Sequence, residues 1–152
     1  MNDNNVDIVV PYVDCNDVAW RDEAIKYNIL NDKNEYMFRD WGFLKYWFRG
    51  IEKNLPWIHK VYLILYGNAP EWLNLNNKKL VVVKPKDYIP YDYLPTFSSH
   101  TIELNLHRIE NLSETFIYSN DDTIFLDKMN KEDYFIDSLP CDYVHIRPVT
   151  ES

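Results

Sequence analysis

The stretch "VDIVVPYVDCND", residues 6–17, decides the fold. Val6 to Val13 is almost continuously apolar and rich in β-branched residues, the composition of a buried strand. A strand covered on one face alternates apolar and polar residues, whereas one covered on both does not. Two later runs share this character: "YLIL" (62–65) within "KVYLILYG" (60–67), and "LVVV" (80–83) within "KKLVVVKP" (78–85). Pro11 predicts an edge position, a bulge or the strand's end, because proline has no N–H to give to a ladder. The strand then runs into Asp14, Cys15, Asn16 and Asp17, a turn-prone acidic segment.

Helical periods fill the intervals. Trp20 to Leu30 reads as a short helix. In Asp40 to Leu55, the residues Trp41, Leu44, Trp47, Phe48, Ile51 and Leu55 recur at helical spacing, with Asp40 placed to cap the first turn and Pro56 after the end. Gly67-Asn68 is a turn, and Pro85, Pro90 and Pro95 make 84–97 an irregular loop. Ser98 to Leu112 reads as a second long helix, capped by Ser98 and stapled by Phe97 and Ile102. On it Ile102, Leu106 and Ile109 share an apolar face, while His100, Glu103, His107 and Glu110 share a polar one. Phe116 to Tyr118 ends another buried strand, and Ile124 and Phe125 form a further apolar run. Between them lie Ser119, Asn120, Asp121, Asp122 and Thr123.

Strands alternating with helices predict a layered, Rossmann-like α/β fold with a mostly parallel sheet. At 152 residues and 46% hydrophobic content, the chain is long enough and apolar enough to bury a core. Residues 1–152 are expected to form a single domain. Ligands of such folds sit beyond the carboxyl ends of the strands. That rule puts Asp14 and Asp17 on the same rim as Asn120, Asp121 and Asp122.

A net charge of −8 and the lack of a basic stripe argue against nucleic acid as a partner. With only three glycines, neither a GxGxxG nor a GxxxxGK[ST] phosphate loop is present. Cys15 and Cys141 have neither zinc-site nor disulfide-framework spacing. The start "MNDNNVDIVV" does not read as a signal peptide, and no run approaches the roughly 20 apolar residues of a membrane span. The expected location is cytoplasmic, with peripheral association at the inner membrane face left open. Five Trp, twelve Tyr and seven Phe supply rings for the core, and some for stacking on a base or sugar.

An acidic pair after a strand is either a solvated turn or a hard-cation site. Mg²⁺ takes oxygen ligands, commonly one or two carboxylates plus phosphate oxygens of a substrate. Arg39, Arg49 and Arg108 are candidates to fork onto a phosphate. His107 can exchange a proton near neutral pH.

The segments "FRDWGFLKYWFRGIEKNLPWIHKVYLILYGNAPEWLNL" (38–75) and "LPTFSSHTIELNLHRIENLSETFIYSNDD" (94–122), with the opening "VDIVVPYVDCND", closely resemble the Stealth family of sugar-1-phosphate transferases. Bacterial capsular polysaccharide phosphotransferases and the animal N-acetylglucosamine-1-phosphotransferase belong to it. The resemblance covers the family's first conserved region, near 6–20, and its second, near 38–126. It implies a sheet like that of nucleotide-diphosphate-sugar transferases. It also implies transfer of a sugar-1-phosphate from a UDP-sugar to an acceptor glycan hydroxyl, releasing UMP, with Mg²⁺ or Mn²⁺ as cofactor. The acceptor is expected to be lipid-linked.

By matching position, Asp121 and Asp122 are the expected metal ligands, with Asp122 also catalytic. Asp14, Asp17, Arg39, Asp40, Arg49, Ser98 and Asn120 are expected to contact substrate. Glu103, His107 and Arg108 match the "IE…HRI" pattern and are expected in the catalytic machinery; His100 ranks below them. The family carries two further conserved regions, so this chain is expected to be the N-terminal part of a longer enzyme. The residues alone leave open a metal-dependent glycosyltransferase releasing UDP, or an inactive nucleotide-sugar or glycan-binding module.

Overall fold

The computed structural model describes residues 5–142. Four parallel strands form the main sheet: β1 (Val6–Val13), β2 (Val61–Tyr66), β3 (Leu80–Val83) and β4 (Thr115–Tyr118), in the order β3-β2-β1-β4. The fold is therefore the expected α/β, Rossmann-like one. β1 pairs with β2 from Ile8–Val61 to Val13–Tyr66, and with β4 from Val6–Thr115 to Val9–Tyr118.

Pro11 lies inside β1 rather than at its end, for a local reason. The Ser119 N–H donates to the Val9 carbonyl (3.0 Å), so Val9 faces β4. Pro11, two residues on, faces the same side after β4 has ended, and there an N–H has nothing to bond.

β1 is buried on both faces, which accounts for its unbroken apolar run. Val6, Ile8, Val10 and Tyr12 pack towards α2 (Leu44–Asn54) through Leu44, Trp47 and Ile51, and towards Leu55 just after it. Val9 looks the other way, into a core with Tyr62, Ile64, Val83, Leu106 and Ile109. Asp7 is the exception, fully buried within the strand. It accepts from the backbone N–H groups of Lys60 (3.0 Å) and Ser113 (2.8 Å), and His59 Nδ1 lies 2.9 Å away. One carboxylate thus ties three segments together at the amino end of the sheet.

The helices differ from expectation at their ends. α1 (Val18–Lys26) starts earlier than Trp20, because the Asp17 side chain accepts from the Trp20 N–H (2.9 Å). It stops four residues before Leu30. Asn28 turns left-handed (φ +57), and Ile29 N–H returns to the Ala24 carbonyl. α2 begins at Leu44, not Asp40. Gly42 (φ +68) diverts the chain, and Asp40 accepts from the Gly42 N–H (2.7 Å) instead of capping the helix. The expected helix 98–112 divides. α3 (Ser99–Leu104) ends at Asn105, whose side chain donates to the Thr101 carbonyl (2.8 Å), and a 3-10 turn (Leu106–Arg108) follows. Ser98 does cap α3. Phe97 packs on Trp20 and Tyr27, whereas Ile102 belongs to the core with Val9.

The segment after β4 lies like a strap along α2. Trp47 Nε1 donates to Ser119 Oγ (3.0 Å), Asn54 Nδ2 to the Phe125 carbonyl (2.6 Å), and Trp57 Nε1 to the Met129 carbonyl (2.8 Å). Gly50 makes room, since a Cβ there would sit 3.0 Å from the Phe125 carbonyl oxygen. Helix propensity favours alanine over glycine by about 1 kcal/mol. Overpacking against a pinned backbone costs about 1–3 kcal/mol. Gly50→Ala is therefore expected to destabilise by about 1 kcal/mol net, read as a lower urea midpoint at unchanged slope.

Candidate active site

The strand order reverses beside β1: β2 and β3 lie to one side, β4 to the other. The rim there, at the carboxyl ends of the strands, is where this sheet type binds ligands. A cleft of about 320 Å³ opens at that rim. Tyr12 and Val13 enter it from β1, Cys15 from the turn after β1, Tyr66 from the end of β2, and Asp121 from the loop after β4. Trp20, Phe38 and Phe97 complete an aromatic wall; the Trp20 ring lies 5.5 Å from Phe38 and 6.3 Å from Phe97. Such rings offer apolar faces to a base or a sugar.

Carboxylates converge on the cleft. Tyr12 Oη donates to Asp40 Oδ2 (3.2 Å). Burial first, then the charges of Asp40, Asp14 and Asp121, push the Tyr12 phenol well above its usual range. The Cys15 thiol is raised by burial and by the same three carboxylates, with Arg21 opposing. Asp14, Asp40 and Asp121 come from three separate segments, and the fold brings them together. Asp14 Oδ1 accepts from the Asn16 N–H (2.8 Å), closing the turn after β1.

Asp121 is half-buried and Asp122 exposed. Burial pushes the Asp121 carboxyl above the ordinary carboxylate range. A hydrogen bond with its own backbone opposes this, and the charges of Asp122 and Asp40 add to it. A raised folded value means this group favours the fold fully below its unfolded value. That contribution is lost as pH rises through the folded value. At neutral pH, Asp121 therefore weakens the fold. Asp121→Asn is expected to raise the melting temperature at pH 7 and to give no gain below about pH 4, checked by thermal melts at both.

Among the described residues, no group of three or more His, Cys, Asp or Glu side chains could hold a metal ion. Asp121 and Asp122 would offer two carboxylates, leaving the other positions to phosphate oxygens and water, which suits Mg²⁺ or Mn²⁺. Among the described residues, those lining the cleft include no Lys, Arg or His, so an anion held there gains no cation from them.

The other expected residues are distributed unevenly. Asp17 is occupied as the α1 cap, and Gly67 (φ +81) is required opposite it, because a Cβ would meet its carboxylate at 2.7 Å. Ser98 caps α3 beside the cleft. Asn120 is exposed at the rim, where its carbonyl accepts from Thr123 N–H and Ser119 Oγ. Glu103 accepts from the Tyr118 hydroxyl (3.1 Å), and burial followed by this bond pushes that phenol up to about 12. His107 and Arg108 are exposed on the 3-10 turn, and their side chains make no hydrogen bond or ion pair among the described residues. Arg39 lies over the Trp41 ring at 5.2 Å, beside Asp40. Arg49 opens onto a different cleft, along α2.

Sequence reasoning did not single out Tyr12, Trp20, Phe38, Tyr66 or Phe97 as site residues. The signal for Tyr12 and Tyr66 was their place at the carboxyl ends of strands. Arg21 was also missed; it donates to the Cys15 carbonyl (3.3 Å) and pairs with Glu35 at the cleft's edge.

The described residues thus form a Rossmann-like α/β domain with an aromatic, carboxylate-edged cleft where its strand order reverses. The family model for Stealth protein CR2, conserved region 2, matches residues 37–141. The chain belongs to the Stealth family. It is 48% identical over 141 residues to capsular polysaccharide phosphotransferase WcwK of Streptococcus pneumoniae, covering 90% of this chain and 43% of the relative. It is 42% identical over 152 residues to receptor polysaccharide phosphotransferase WefC of Streptococcus gordonii, covering 95% and 46%. With capsular polysaccharide phosphotransferase CpsJ of Streptococcus thermophilus the identity is 40% over 141 residues, covering 89% and 59%. The chain thus spans less than half the length of WcwK and WefC.

Proposed function

We propose that this chain is the donor-binding part of an enzyme of capsular or cell-surface polysaccharide synthesis. The enzyme moves a hexose-1-phosphate from a UDP-sugar to a hydroxyl of an acceptor glycan. The observation that carries this is the cleft at the strand-order reversal, in a chain whose relatives are named polysaccharide phosphotransferases. The aromatic wall suits the base or sugar of the donor, and the acidic rim suits the diphosphate with its counter-cation. The acceptor oxygen attacks the phosphorus bearing the sugar, the bond to the nucleoside monophosphate breaks, and UMP leaves.

Catalysis of such transfers is mostly positioning and charge stabilisation. Asp121 and Asp122 are the side chains proposed to hold Mg²⁺ or Mn²⁺, which when bound supplies charge neutralisation at the diphosphate. Tyr12 fixes Asp40, and Trp47 fixes the Ser119 end of the acidic loop. Glu103 steadies Tyr118 at the end of β4. No helix among the described residues is long and apolar enough to cross a membrane. The acceptor in this reading is lipid-linked and is met at the membrane's cytoplasmic surface.

The test is product analysis of the native gene product with UDP-N-acetylglucosamine labelled in the sugar and in the sugar-bearing phosphate. Release of UMP with both labels in a phosphodiester is expected. Release of UDP with a new glycosidic bond identifies a glycosyltransferase and rejects the reading.

A further inference from the structure

A second cleft, of about 560 Å³, runs along α2 on the side away from the acidic loop. One wall is a single helical face, Lys45, Phe48, Arg49 and Glu52, spaced three and four apart. The facing wall is the loop between β2 and β3, which brings Trp72, Asn74 and Asn77. The floor is apolar, including Ile51, Leu55 and Leu80.

Two features give this cleft a chemical character. The first is charge: three cations, Lys45, Arg49 and Lys79, face one carboxylate, Glu52, in a chain of net charge −8. Lys79 is spent on the Pro56 and Ile58 carbonyls (3.2 and 2.9 Å). Lys45 and Arg49 both lie over the Tyr46 ring, at 5.1 and 5.5 Å, and neither has an ion-pair partner among the described residues. The second is the pairing of exposed aromatic surface with free amides. Trp72 is half-exposed and meets Phe48 edge-on at 6.1 Å. The side-chain oxygens of Asn74 and Asn77 accept from nearby backbone N–H groups, which leaves their nitrogens to donate. Ring faces and amide donors bind pyranoses, and the cations at one end bind phosphate.

We propose that this cleft docks the acceptor as a chain of sugars joined by phosphodiesters. Its pyranose faces lie on Trp72, and its phosphodiesters lie near Lys45 and Arg49. The assignment rests on the sugar-phosphate transfer reading, because that reaction builds such a chain. It concerns binding alone, so its test needs no turnover.

The probe is a short oligosaccharide of N-acetylhexosamine 1-phosphate units, with neutral chitotetraose as control. Binding is followed through the Trp72 indole N–H resonance, assigned with Trp72→Phe. Saturable shifts at Trp72 with the anionic probe, weakened about tenfold by Lys45→Glu and by raised salt, are expected. Folding of each variant is confirmed by its thermal melt. An unmoved Trp72 resonance, or equal affinity for chitotetraose, overturns the proposal. So does a Trp72 shift that follows protein concentration instead of probe, which assigns the cleft to a second copy of the chain. An enzyme that releases UMP yet shows no Trp72 response rejects this cleft alone. One that releases UDP rejects the transfer reading, whatever Trp72 does.

Discussion

Asp122→Ala is expected to abolish sugar-phosphate transfer by the native gene product while leaving its fold intact. Asp122 is exposed and makes no hydrogen bond among the described residues, so its loss should change stability by no more than about 0.5 kcal/mol. Its effect on turnover should be far larger. No Lys, Arg or His among the described residues lines the cleft, so in the proposed mechanism a cation at Asp121 and Asp122 would carry the burden of neutralising a diphosphate. Groups aimed at transition-state charge are worth about 10²–10³ in rate each, and a lost metal ligand should fall at or beyond that range. The paired measurement is single-turnover rate with Mn²⁺ alongside a thermal melt. A rate within about tenfold of wild type, at unchanged melting temperature, removes Asp122 from the mechanism.

The second large effect is on stability and lies at the opposite end of the sheet. Asp7→Ala removes the buried acceptor for two partly buried backbone N–H groups and the partner of His59. Each orphaned donor costs about 1–3 kcal/mol, so about 3–5 kcal/mol in total is expected. That is a large fraction of the 5–15 kcal/mol that holds a typical domain together. Asp7→Asn keeps one carbonyl acceptor and should fall between the two. Urea unfolding of the three proteins tests the order. A loss below about 1 kcal/mol for Asp7→Ala contradicts this account of how the three segments are joined.

β1 and β2 were legible in the sequence because burial on both faces writes itself as a nearly continuous apolar run, as in "IVV" and "YLIL", whereas the equally apolar "LVVV" forms the edge strand β3 and leaves Val82 exposed. The rim position of Asp14 and Asp121 followed from that and the ligand-site rule alone. What was not legible was set by contacts distant in sequence or by single backbone angles. Nothing local marks Asp40 as the partner of Tyr12 rather than a helix cap; Gly42 decides it by turning left-handed. Nothing in the apolar spacing of Ile102, Leu106 and Ile109 reveals that Asn105 ends α3, because the 3-10 turn that follows still buries Leu106 and Ile109. The hairpin of Phe135–Ile136 with Leu139–Pro140 turns on Asp137 and Ser138, both at positive φ, without the glycine that usually announces such a turn. The aromatic wall was present in the composition, but which rings face the cleft depends on how α1 and the 84–97 loop close over β1.

β1 separates two duties along one strand. Its first residues hold the Asp7 clamp, and its last, roughly 20 Å away, lead into the carboxylates and aromatic residues of the proposed donor cleft. Substitutions at Cys15 or Tyr66 can therefore drift without loosening the clamp. A lineage could exchange one activated sugar for another by changes at the upper end alone, keeping a single scaffold for surface polymers of different composition.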